Sequence, residues 1–218
     1  MGKHYDLIVF DWDGTVMDST AVISSSIQAA CRDLGLPVPS DEAARHVIGL
    51  GLEQALRHAV PDAPEAMYGP LVERYRHHFL AQDMAIPLFE GARETIIELY
   101  EGGFSLGVAT GKSRAGLERV MESTGMKRYF HATRTADQTF SKPHPAMLFE
   151  LMDELEASAE RTLMVGDTTH DLLLAQNAGV DALAVGFGAH PPEQLLELRP
   201  LALLDDFAQL RAWFGENA

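Results

Sequence analysis

Two acids, Asp11 and Asp13, close the apolar run Leu7-Ile8-Val9-Phe10, and a second pair, Asp167 and Asp171, follows Thr162-Leu163-Met164-Val165-Gly166. Thr110-Gly111 ends a third such run, Phe104-Ser105-Leu106-Gly107-Val108-Ala109, and Lys142 stands in the loop Ser141-Lys142-Pro143-His144-Pro145. Short apolar runs that stop at polar residues read as buried strands delivering those residues to the C-terminal edge of a sheet, where open α/β folds carry their chemistry. Carboxylates gathered there a few ångströms apart raise one another's pKa and resist ionising together. A divalent cation removes that conflict. Oxygen donors with no His or Cys cluster at ligand spacing favour Mg²⁺, held by a few carboxylates, waters and a substrate phosphate. Taken singly, each residue has a plainer reading: Asp13-Gly14, Thr110-Gly111 and Gly166-Asp167 as strand-exit turns, Lys142 as a solvated loop residue, Asp171 as a first-turn acid favoured by a helix dipole.

The elements that must position these residues fall into two kinds. From 16 to about 85 the pattern offers only helices and loops. Ser19 or Thr20 suits an N-cap before a helix stopped at Gly35, and Ser40 with Asp41 and Glu42 starts a second helix. Gly49-Leu50-Gly51 interrupts it, Leu52 to Val60 resumes, and a further helix runs from about Pro70 to Leu80. This stretch reads as a separate helical module. After Pro87 strand and helix alternate: helix 92–101, strand 104–109, a helix from Ser113 to Gly125, a weak strand 131–134, and a helix from Pro145 to about Glu156. Strand 162–165, helix 170–179, strand 182–185, an edge strand at 201–204 and a C-terminal helix complete the series. Alternation with short connections implies an α/β fold, a doubly wound parallel sheet covered on both faces.

Composition narrows the function classes. The chain has 218 residues, with 17 basic and 32 acidic side chains giving a formal charge of -15, so its overall field repels nucleic acid and anionic membranes. A phosphorylated substrate would be repelled too, unless a cation or local donors reverse the field at the site. The single Cys31 permits no internal disulfide and suits a reducing compartment, so the expected location is cytoplasmic. Met1 to Asp6 lacks an apolar signal core, and no apolar run approaches the roughly 18 residues of a membrane span.

In their order the site residues resemble the haloacid dehalogenase-like hydrolase superfamily: Asp-x-Asp-Gly-Thr at 11–15, Thr at 110, Lys at 142 and Gly-Asp-x-x-x-Asp at 166–171, over nearly the whole chain. The resemblance implies a Rossmann-like doubly wound core of residues 1–15 and 86–218 with an inserted α-helical cap domain of residues 16–85. It implies that Asp11 is a nucleophile forming an aspartyl-phosphate, while Asp13 protonates the leaving alcohol and then deprotonates the hydrolytic water. The Thr110 hydroxyl and Gly111 amide would hold a phosphoryl oxygen, and Lys142 would offset negative charge. Asp11, Asp13, Asp167 and, in support, Asp171 would hold Mg²⁺.

Asp13 selects a branch, because dehalogenases and phosphonate hydrolases of the superfamily lack an acid there. Within the branch the chain resembles phosphoglycolate phosphatase-like enzymes in Asp-Gly-Thr-Val-Met-Asp-Ser at 13–19, Gly49-Leu50-Gly51-Leu52, Ser-Lys-Pro-His-Pro at 141–145 and Val-Gly-Asp-Thr at 165–168. β-Phosphoglucomutases usually carry Val where Thr15 stands and an Arg near Leu52. One departure is Ala-Thr-Gly-Lys at 109–112, where those phosphatases commonly have Thr-Asn-Lys. Lys112, Arg114 and Arg45 are candidates for a second anionic group on the substrate, and the nine histidines read as structural or surface residues. The expectation is therefore a Mg²⁺-dependent phosphatase of a small monoester, phosphoglycolate-like or a sugar phosphate, acting as a monomer or weak homodimer. A pyrophosphatase or phosphomutase is the alternative. A catalytically silent regulatory protein on this fold is more remote, since it would have no need of Asp13.

Overall fold

Leu7, Ile8, Val9 and Phe10 have no solvent exposure, which is why four apolar residues in a row serve as a central strand rather than an edge. The computed structural model describes residues 4–218; Met1, Gly2 and Lys3, part of the segment read for a targeting signal and of the expected first core segment, lie outside them. The strands are β1 (Leu7–Phe10), β2 (Ser105–Thr110), β3 (Ala132–Thr135), β4 (Thr162–Gly166), β5 (Asp181–Val185) and β6 (Leu203–Leu204). They form one sheet in the order β3-β2-β1-β4-β5-β6, with every pairing parallel. The order reverses between β1 and β4. That switch point is where the loops diverge to opposite faces and leave a crevice at the strand ends.

Alternate residues of β1 face different layers. Leu7 and Val9 pack with Met147, Leu148 and Leu151 of α7 (Ala146–Glu154) and Leu174 of α8 (Thr169–Ala178). Ile8 and Phe10 belong to the cluster that holds Ile96 of α5 (Ala92–Glu101), Val120 of α6 (Arg114–Ser123) and Phe207 of α10 (Phe207–Asn217). The sheet is thus covered on both faces, as the alternation of elements requires.

Between β1 and α5 the chain forms α1 (Thr20–Asp33), α2 (Asp41–His46), α3 (Leu52–Ala59) and α4 (Tyr68–Leu80), and no strand. Its entry and exit run antiparallel: the Asp18 amide donates to the Pro87 carbonyl at 3.0 Å and the Phe89 amide to the Val16 carbonyl at 3.0 Å. The apolar sides of α1, α3 and α4 share one cluster with the sheet.

Two departures from the expected elements have physical causes. Helix α4 starts at Tyr68, so Pro70 lies in its first turn, where an amide has no helical partner to lose. Helix α9 (Pro192–Glu197), opened by Pro191-Pro192, has six residues, too few for a periodic apolar face to show in the sequence. No described helix is long and apolar enough to cross a membrane.

Candidate active site

Register puts the site together. Phe10 pairs with both Val108 and Val165, so Asp11 stands level with Ala109 and Gly166, and Thr110 and Asp167 lie one residue beyond it on the flanking strands. The Asp11 amide continues the ladder by donating to the Val165 carbonyl at 2.9 Å, which holds the residue rigidly at the edge. Lys142 comes from the loop before α7 and is fully buried; its Nζ donates to Asp11 Oδ1 at 2.7 Å and to Asp171 Oδ1 at 2.6 Å. The other oxygen of Asp171 accepts from the Thr168 amide at 3.0 Å and the Thr168 hydroxyl at 2.7 Å, a capping box at the start of α8. Asp167 accepts from the Thr15 hydroxyl at 2.8 Å and from the Ala189 amide at 2.7 Å. Gly14 makes this closeness possible: with φ of +85° it takes a left-handed turn, and a Cβ there would lie 2.2 Å from Asp167 Oδ2.

Three buried carboxylates share one ammonium, so the cluster keeps protons that isolated carboxylates would lose. Burial pushes Asp11 well above the usual carboxylate range, with Lys142 opposing and Asp171 and Asp167 adding to the rise. Burial and then Asp171 lift Asp167 to about 7. Lys142 stays charged: burial works against its ammonium, and the pull of Asp11 and Asp171 outweighs burial.

Asp13 is held separately. Its Oδ1 accepts from the Ser19 hydroxyl at 2.6 Å and from Lys112 Nζ at 3.0 Å, and the Lys112 side chain is only 8% exposed. Ser19 sits at the N-cap position of α1 without capping it, its hydroxyl being used by Asp13. Lys112 Nζ also lies 4.8 Å from the ring centroid of Phe79 on α4. Asp13, Lys112 and Gly111 line a cavity of about 640 Å³, closed on its far side by residues of α1, α3, α4 and the loop at 47–51. That loop runs against the sheet edge. A Cβ on Gly111 would lie 2.3 Å from the Leu50 carbonyl oxygen, and the Gly51 amide donates to the Ser141 hydroxyl at 2.8 Å.

The model of the family described as haloacid dehalogenase-like hydrolase matches residues 8–185. The chain belongs to that family. It is 37% identical over 210 residues to "Probable phosphatase IndB" of Dickeya dadantii, covering 94% of this chain and 91% of that one. A phosphoglycolate phosphatase of Agrobacterium fabrum is 33% identical over 94% of this chain and 90% of its own length. The fold matches the crystal structure of a hydrolase from Pseudomonas syringae with a TM-score of 0.88, at 18% identity and covering 97% and 98% of the two chains.

For this haloacid dehalogenase-like hydrolase a cation fits the residues present. Oxygens of Asp11, Asp167 and Asp171 lie within 4.8 Å of one another, and Asp11 Oδ2 is buried with no hydrogen-bond partner. An unpartnered buried carboxylate oxygen is costly, and a divalent cation is the ligand that an all-oxygen donor set suits. Among the three, Asp171 already uses both oxygens, and Asp11 keeps one.

The hydrolase gathers Asp11, Asp13, Thr110, Gly111, Lys112, Lys142, Asp167 and Asp171 at one edge. Lys112 is placed on Asp13, and not on a free position for a substrate anion. Arg45 does not line the cavity; it pairs with Asp41 one turn earlier on α2. Arg114 turns to Glu118 and Thr133. The Thr110 hydroxyl accepts from the Lys112 amide at 3.3 Å. Sequence reasoning missed Thr15, Ser19, Thr168 and the Ala189 amide as supports of the acids. Thr168 was findable, because Thr-x-x-Asp at 168–171 is a capping-box spacing, whereas the 22-residue separation of Ala189 from Asp167 leaves no local signal.

Proposed function

We propose that this chain hydrolyses small phosphate monoesters through an aspartyl-phosphate on Asp11, with Mg²⁺ held by Asp11 and Asp167 and with residues 16–85 acting as a cap over the site. The observation that carries the reading is the state of Asp11: buried at the switch point, one oxygen fixed by Lys142 and the other without a partner. The names of the relatives support a phosphate ester as the substrate class. The bound cation would supply Lewis-acid neutralisation of the carboxylates and the phosphoryl oxygens.

The chain's own residues do the rest. Lys142 restrains Asp11 Oδ1, leaving a carboxylate lone pair to attack phosphorus in line. An O–P bond forms to Asp11 as the bond from phosphorus to the leaving oxygen breaks, and Asp13 gives its proton to that oxygen. Asp13, now a carboxylate oriented by Ser19 and Lys112, takes a proton from water as the water attacks phosphorus. Asp11 is released with inorganic phosphate as product. Thr110 and Gly111 flank the position of the transferring group, and Lys142 balances the charge that builds there.

The test is Asp11→Asn assayed on an aryl phosphate. Turnover should fall at least about 1000-fold while the far-ultraviolet circular dichroism stays unchanged. Chelation should silence the unmodified enzyme and added Mg²⁺ restore it. Undiminished turnover by the variant would sink the aspartyl-phosphate route.

A further inference from the structure

The cavity wall opposite the acids is mostly hydrocarbon, with Tyr75, Gln54, Glu53 and Arg76 as its polar members. Ile23 and Ile27 of α1, Ile48 and Leu50 of the loop, Ala55 of α3 and Phe79 of α4 all face the cavity. Its volume of about 640 Å³ falls within the roughly 300–1,000 Å³ typical of sites that enclose a drug-sized ligand. A two-carbon acid would fill only a small part of it.

The charges on the wall are already paired. Three cations line the cavity, Arg76, Lys112 and Arg119, and so do three acids, Asp13, Glu53 and Asp137. Lys112 is held by Asp13. Arg119 makes a double contact with the buried Asp83, at 2.9 and 2.7 Å. Arg76 pairs with Glu73 and, at 54% side-chain exposure, faces solvent. A second anion on the leaving group would therefore have to displace Asp13 from Lys112 or Asp83 from Arg119, or compete with Glu73 for the solvent-facing Arg76, and a sugar would leave hydroxyls against isoleucine and phenylalanine.

We infer that the leaving group is an uncharged, largely apolar alcohol of several carbons, bound against α1, α3 and α4. This rests on the phosphatase reading of the preceding section and adds the substrate class to it. Specificity then comes from apolar burial on the cap side, while the phosphoryl group is recognised by the sheet edge alone. The inference also separates this chain from its phosphoglycolate phosphatase relatives, whose named substrate carries a carboxylate.

The wild-type enzyme with Mg²⁺ and a series of n-alkyl phosphates from methyl to hexyl gives the test, since leaving-group acidity changes little along the series. kcat/KM should rise about threefold to fourfold per methylene, the gain from burying one CH₂. Hexyl phosphate should exceed both phosphoglycolate and glucose 6-phosphate. A flat series, or a preference for either polar ester, overturns the inference while leaving the phosphatase reading intact. If no ester at all is hydrolysed, the phosphatase reading fails, and calorimetry still decides the cavity: hexylphosphonate should bind at least tenfold tighter than 3-phosphonopropionate. Equal affinities overturn the inference.

Discussion

On the sheet side of the cavity the groups suited to chemistry are charged and buried, each with named partners: Lys142 between Asp11 and Asp171, Asp167 under Thr15 and Ala189, Asp13 under Ser19 and Lys112. On the helical side the wall is mostly apolar, fastened to the sheet side by main-chain acceptors and donors at His46 and Gly51 and by the Asp83–Arg119 ion pair. The first wall is specified by hydrogen-bond geometry, which tolerates little change. The second is specified by volume and hydrocarbon surface, which can be reshaped one residue at a time. Chemistry and selectivity are thus assigned to walls with different sensitivities to mutation.

The strongest way to break this contrast is Lys142→Met. It removes the ammonium shared by Asp11 and Asp171 and leaves excess negative charge in a site with no exposure. The expected loss is about 3–5 kcal/mol of unfolding free energy in the metal-free protein, together with loss of turnover. Urea denaturation measures it, and a loss under 1 kcal/mol would show that the sheet-side network is not the rigid partner described.

The acids and the histidines of the cap contact should also respond to pH with opposite signs. Asp167 is raised from 3.8 to about 7, so the folded state keeps a proton that the unfolded chain has lost; that stability is full below about pH 4 and is lost as the pH rises through about 7. Burial depresses His190 from 6.5 to about 4, so the unfolded chain takes the proton first; that stability is full above about pH 6.5 and is lost as the pH falls through about 4. The two slopes oppose one another between. Thermal melts of wild type and Asp167→Asn in chelator, at pH 5 and 7.5, separate them: wild type should lose several degrees relative to the variant at the higher pH, at about 2–4 °C per kcal/mol for a chain of this size. Added Mg²⁺ should remove the difference, because the cation favours the ionised acids.

The sheet side was the legible one. Asp11, Thr110 and Asp167 end strands whose apolar runs are unmistakable, and parallel pairing fixes their relative heights once the strand order is given. The four helices at 20–80 were legible as helices from Ser40, Gly35 and the Gly-x-Gly loop, yet their contact with the sheet was not. Arg45 shows why. A basic residue in a helix beside a site looks like an anion receptor in sequence, but an acid one turn away at Asp41 pairs with it, and α2 contributes no residue to the cavity lining. Ser19 misled in the same way, since an N-cap residue normally serves its own helix and this one serves Asp13. Nothing in the spacing of the histidines announces a cluster, and only the fold brings His46, His170 and His190 together.

Lys112 belongs to both walls, touching Asp13 of the one and Phe79 of the other, so its replacement sharpens the boundary between them. If Lys112 orients Asp13, Lys112→Met should lower kcat about 10- to 100-fold for every ester with little change in KM. A rise in KM confined to esters bearing a second anion would instead make it a substrate receptor and move selectivity onto the sheet side.

The smallest expected effect concerns the clasp between the walls. The His46 carbonyl at the end of α2 accepts from His170 Nε2 at 2.8 Å and from His190 Nε2 at 3.0 Å. The tautomer of His190 follows from its other nitrogen, which accepts the Thr169 amide at 3.0 Å and so carries no proton. The rings of His46 and His190 stack at 4.8 Å, so a Phe at 190 keeps the packing and removes the hydrogen bonds. Because two donors serve one carbonyl, either His170→Phe or His190→Phe leaves that carbonyl with a partner; His170→Phe should cost only about 0.5–1.5 kcal/mol, and His190→Phe, which also takes the acceptor from the Thr169 amide, about 1–3 kcal/mol. The double variant strands the carbonyl, so its cost should exceed the sum of the two. Additive losses in urea denaturation would mean that the histidines act separately, and that the helical side is held to the sheet by apolar contact, the Gly51–Ser141 hydrogen bond and the Asp83–Arg119 ion pair rather than by this clasp.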